Sequence, residues 1–116
     1  MRILIGAVGL ALLAGCASME EKRANGPAHA YSSRQTASAV AECVLYAWQN
    51  QSLAGSHIDA SIQPLRDGGK TVISAGQVEF ADFKDVPSGS KVELYFQSGL
   101  MSWRKNRRTD AVESCL

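Results

Sequence analysis

The spacing of apolar positions changes twice along the chain, and each regime predicts a different kind of segment. Ile3 to Ala14 is an apolar run with Gly6 and Gly9 inside it and no polar face. From Ser33 to Gln51 the spacing is helical. Val40, Cys43, Val44 and Ala47 fall at i, i+3, i+4 and i+7, and Leu45 and Trp48 widen the stripe. Ser32 followed by Gln35 has the form of a capping box at the start of this helix. The stripe points Cys43 at the core and makes Trp48 a core or groove residue.

After Gly55 the period drops to two. Ile58, Ala60 and Ile62 alternate with Asp59, Ser61 and Gln63, which predicts a half-buried strand that Pro64 ends or holds at a sheet edge. Arg66 to Lys70 reads as a turn. A second strand is expected over Thr71 to Phe80. Ile73 and Ala75 are out of phase there with Val78 and Phe80, and Gly76 between them predicts a bulge that resets the face. Val86-Pro87-Ser88-Gly89 fits a type I turn. A third strand, Lys91 to Gln97, buries Val92, Leu94 and Phe96. Beyond Ser98-Gly99 the pattern allows a fourth strand over Leu100 to Arg104, then a last helical turn at Asp110 to Glu113 that carries Cys115 back to the first helix. The expected fold is α+β, one helix packed on an antiparallel meander of three or four strands, in a single domain over residues 32–116. Residues 17–31 are polar and broken at Gly26-Pro27. A flexible tether over 16–31 is expected, spanning on the order of 20 Å.

The opening apolar run is shorter than the roughly 20 residues a membrane span needs. Arg2 before it and small residues after it describe a secretory signal peptide over residues 1–15. At its end, Leu13-Ala14-Gly15-Cys16 resembles the lipobox of bacterial lipoproteins, each position carrying a preferred residue type. The resemblance covers the first sixteen residues. It implies cleavage before Cys16, a diacylglyceryl group on the Cys16 sulfur and, as a rule, a third acyl chain (palmitate-type) on the new amino terminus. One acyl chain holds a protein marginally, and two or more hold it stably. Ala17-Ser18 in place of Asp after the cysteine implies an outer-membrane destination, and the domain is expected at the periplasmic face. Lipoproteins of barrel assembly and lipoprotein lysozyme inhibitors share the size, but their motifs are absent and no residue is carried over from them.

Composition adds constraints. Without the first fifteen residues the chain keeps eleven Lys and Arg against eleven Asp and Glu, so no general attraction to nucleic acid or anionic lipid follows. A chain this short makes one small domain with a marginal core, of the kind often reinforced by disulfides in oxidising compartments. If lipid takes Cys16, Cys43 and Cys115 remain as a pair. Closing a loop of about 70 residues is worth roughly 4 kcal/mol by loop entropy. The competing uses of cysteine, a nucleophile or a metal site, lack supporting spacing, since His29 and His57 stand alone and there is no Cys-x-x-Cys.

No phosphate-binding glycine loop or Gly-x-Ser-x-Gly elbow is present. His57 and Asp59, two apart, form either an acid/base pair or a solvated strand face. The concentrated feature is Trp103 beside Arg104, Lys105, Arg107 and Arg108. It suits contact with an anionic envelope polymer, lipid head groups or an acidic envelope protein, and nucleic acid is excluded by location. The alternative is a solvated loop balanced by Asp82, Asp85 and Glu93. The expected function is a non-enzymatic, cofactor-free binding or envelope-assembly module held at the membrane. One rival is an immunity or inhibitor lipoprotein against a wall-degrading or toxin enzyme. A second, a small hydrolase, would need a catalytic motif.

Overall fold

Residues 19–66 and 68–116 are described by the computed structural model, and they make an α+β fold. The expected signal peptide and Cys16 lie outside the described residues. In chain order the elements are α1 (residues 19–25), β1 (His29–Ser33), α2 (Ala37–Asn50), a small hairpin of β2 (Ser52–Leu53) and β3 (Ser56–His57), β4 (Ala60–Pro64), β5 (Lys70–Ser74), β6 (Glu79–Val86), β7 (Gly89–Phe96) and α3 (Ser102–Glu113). Five strands form one antiparallel sheet in the order β1-β7-β6-β5-β4.

Strand alternation gives this sheet two faces with different coverings. Val72, Ala81, Phe83, Val92 and Leu94 point to one side, where α2 lays Ala37, Val40, Ala41, Val44 and Trp48 over them. Ala111, Val112 and Cys115 close that core from α3 and the residues after it. Phe80 and Tyr95 point to the other side, stacked with ring centroids 4.6 Å apart, and Met19 of α1 is buried against them. Arg23 of α1 lies over the Phe80 ring at 5.0 Å.

The expected tether is therefore a correction. Residues 19–25 are helical and His29–Ser33 is an edge strand paired with β7 from His29↔Leu94 to Ser33↔Ser90. The helix start is a second correction. Thr36 is the N-cap, its Oγ1 accepting from the Ala39 N–H at 3.2 Å, and Asp85 Oδ1 accepts from the Ala37 N–H at 2.9 Å. Ser32 belongs to β1, and Gln35 Nε2 donates to the Cys115 carbonyl at 3.0 Å.

The phase change near Gly76 is a turn between two strands. Ala75–Gln77 forms a 3-10 turn, with Gly76 at φ 77° and Gln77 at φ 57° reversing the chain from β5 into β6. Pro64 lies on the edge strand β4, as its missing donor requires, and Ile62 on that strand is exposed. Residues 102–104, allowed as strand, begin α3. A short hairpin also appears where none was expected, turning at Ala54 and Gly55 with φ 52° and 81°. Positive φ at both central residues matches the twist of a two-residue hairpin.

Cys43 and Cys115 are joined, with Cα atoms 5.7 Å apart. Cys43 sits at the exposed rim of the α2 stripe and Cys115 is buried, so the bond ties the chain end to the helix from the edge of the core.

Candidate functional site

The cluster Trp103 to Arg108 opens α3, and the helical spacing divides it. Arg104 and Arg108, at i and i+4, share one side of the helix and converge on Glu79. Arg104 is bidentate, Nε to Oε2 at 3.0 Å and Nη2 to Oε1 at 2.8 Å. Arg108 Nε donates to Oε1 at 2.7 Å, and Glu79 and Arg108 are both fully buried. Arg108 Nη1 also donates to the Trp48 carbonyl (2.9 Å) and to Gln51 Oε1 (3.1 Å). The guanidinium lies over the Trp48 ring at 5.0 Å, and Trp48 Nε1 donates back to the Arg108 carbonyl at 3.3 Å. Burial pushes the Arg108 pKa down, and its bond to Glu79 opposes that shift. The cluster is thus not a solvated loop balanced by Asp82, Asp85 and Glu93. Two of its cations are clamped inside the fold by Glu79, and Arg108 has no access to a surface partner.

The residues left outside are Trp103, Lys105 and Arg107. Trp103 is 44% exposed and Met101 beside it 65%. The indole Nε1 donates to Met101 Sδ at 3.0 Å, so the two form one exposed apolar pair. Met101 offers no side-chain cap to α3, and the first turn holds no acid. Arg107 is exposed and Lys105 half-buried.

A second polar constellation lies on the α1 side of the sheet. Asp82 is buried between Arg23, bidentate at 2.8 and 2.9 Å, and Thr71, whose Oγ1 donates to Oδ1 at 2.7 Å. The bond to Asp82 raises the Arg23 pKa. These groups border a hollow of about 400 Å³ that Glu20, Gln63, Pro64, Leu65, Arg66 and Lys84 complete. Both carboxylate oxygens of Asp82 are already engaged, and the other acid at the hollow, Glu20, stands exposed at its rim.

His57 lies in β3 and Asp59 beyond its end, both exposed, so they do not share a strand face. Asp59 instead accepts at its carbonyl from the Ala75 N–H at 2.8 Å. No group of three or more His, Cys, Asp or Glu side chains that could hold a metal ion occurs among the described residues. No helix among them is long and apolar enough to cross a membrane. Sequence reasoning missed Glu79 and Arg23, and it set Asp82 against the Arg104 to Arg108 cluster, whereas Asp82 is bound to Arg23. The usable signal for Glu79 was its phase, since an acid at position 79 shares the inward parity of Ala81 and Phe83. Neither a protein family, nor a curated protein, nor a solved structure matches the chain.

Proposed function

We propose that this chain is an outer-membrane lipoprotein, held by acyl chains on Cys16 at the periplasmic face, whose small domain acts as a non-enzymatic binding or envelope-assembly module. One observation carries the reading. The lipobox-like Leu13-Ala14-Gly15-Cys16 directly precedes a domain whose other two cysteines are joined to each other. A disulfide suits an exported chain, and the pairing leaves Cys16 as the odd cysteine that lipidation would consume. The engagement of the inward polar groups, Glu79 and Asp82, with arginines favours a structural duty for them over a catalytic one.

Metabolic labelling with a fatty acid tests it. Label should enter the native chain and be absent from Cys16→Ser, and the variant should move from the membrane pellet to the soluble fraction with its Cys43–Cys115 bond intact. A Cys16→Ser chain that still pellets with the outer membrane would refute the anchor.

A further inference from the structure

We infer that the opening turn of α3, carried by Met101 and Trp103, lies against the phospholipid leaflet that holds the acyl chains, so that the domain docks on the membrane by this end. The inference rests on the lipidation of Cys16 proposed above and adds an orientation to it.

The first support is the length of chain left between anchor and fold. Met19 is buried under Phe80 and Tyr95. Cys16 precedes it by three residues, which reach at most about 11 Å even fully extended. An acylated Cys16 would thus hold the sheet end carrying Phe80 within one residue layer of the head groups. The flexible spacer of some 20 Å that composition suggested is not there.

The second support is which groups share that end. Phe80 follows Glu79, and Glu79 grips Arg104 in the first turn of α3. Glu79 also pairs with Phe96, from which the chain runs directly to Met101. The point where the anchor segment joins the sheet and the opening of α3 therefore lie at one end of β6. Val86, another exposed apolar residue, is at the far end of that strand, about 24 Å away at 3.4 Å per residue. Tyr46 and Ile62 sit on α2 and the opposite edge strand.

The third support is chemistry. Tryptophan combines a large apolar ring with one N–H donor and prefers the boundary between head groups and acyl chains. Among the described residues the N–H is spent only on a thioether, a weak acceptor that a lipid carbonyl or phosphate outcompetes. Arg107 and Lys105 follow within one turn. Glu20 and Glu21 of α1 stand exposed near the same anchor and offset them, so apolar insertion rather than net charge carries the contact. A contact this small is weak in isolation, but the tether makes it intramolecular.

Fluorescence separates the two tryptophans. Trp48 is fully buried and serves as an internal reference, whereas Trp103 reports on the docking end. The protein as isolated from membranes is reconstituted into vesicles of phosphatidylethanolamine and phosphatidylglycerol, with and without acyl-brominated lipid, and floated. Docking predicts that bromolipid quenches Trp103, that aqueous iodide no longer reaches it, and that Trp103→Phe leaves only emission insensitive to bromolipid. If the chain floats with the vesicles while Trp103 stays open to iodide and blind to bromolipid, the docking is refuted and the anchor stands. If the chain does not float and the Cys16 thiol is free to alkylation, the anchor itself fails and the docking falls with it.

Discussion

Glu79 is the residue on which the charged interior depends. A buried ion pair is not in itself a strong source of stability, because desolvation offsets most of the attraction, but removing one partner from such a set costs about 3–5 kcal/mol. Among the described residues Glu79 is the only acid facing Arg104 and Arg108 in their salt bridges, so Glu79→Gln strands two guanidinium groups. Arg108→Met leaves Glu79 still held bidentately by Arg104 and fills the space with apolar volume. Urea unfolding should therefore rank Glu79→Gln as clearly more destabilising than Arg108→Met, and equal midpoints would show that the network is not organised around the carboxylate. Two tyrosines provide a second handle at this scale. Burial first, and then the bond from Tyr31 to Glu113, pushes the Tyr31 hydroxyl up to about 12, and burial followed by the charge of Glu93 does the same for Tyr95. Because both folded values lie above the ordinary value near 10, the folded state holds protons that the unfolded chain releases. That contribution is complete below about pH 10 and is lost as pH climbs from about 10 to 12. Unfolding midpoints should fall across this window, less steeply in Tyr95→Phe, and a flat profile would contradict the assignment.

At the scale of elements, the sharpest constraint is where β1 meets the start of β7. Gly89 is at φ 142°, and a side chain there would overlap the Ser33 carbonyl oxygen and crowd the Arg34 backbone. Gly89→Ala should destabilise the fold by at least about 2 kcal/mol and raise exchange of the β1 amides first. Uniform exchange and an unchanged melting temperature would show that β1 yields without cost. The same strand shows why parts of the fold were legible and others not. The core face of α2 could be read because Val40, Val44 and Trp48 are apolar at helical spacing and all are buried. β1, with the sequence HAYSS, has no apolar alternation, because it is held at an edge chiefly by backbone pairing with β7. α3 was obscured by its own core, since its largest buried side chain is Arg108, which a hydrophobic period counts as surface. Its partner Glu79 is 29 residues away, and only the sheet brings the two together. Cys43 shows the limit of the helical stripe, because its position at i+3 from the buried Val40 falls on the rim, where the buried Cys115 reaches it from the edge of the core.

For the whole molecule, the question is whether the segment after the anchor is a tether or a layer of the fold. Burial of Met19 is worth about 2 kcal/mol at ordinary transfer values. Among the described residues Arg23 is the sole cation paired with Asp82, which is 3% exposed, and leaving such a charge without its counter-ion costs about 3–5 kcal/mol. Small domains have only about 5–15 kcal/mol in total, so these two losses alone reach the scale of the net stability. Removing β1 also uncovers the edge of β7, whose free donors and acceptors invite pairing with another chain. A chain that begins at Ser32 should thus be unfolded or aggregated at ordinary temperature, whereas one that begins at Ala17 should elute as a folded species with the Cys43–Cys115 bond formed. Circular dichroism melting with size-exclusion chromatography distinguishes the two outcomes. If the chain from Ser32 stays soluble and melts where the longer one does, residues 19–31 contribute nothing to the fold. The domain would then be free to move away from the membrane on that length of chain, and the short reach from Cys16 to Met19 would no longer fix which end of the sheet faces the lipid.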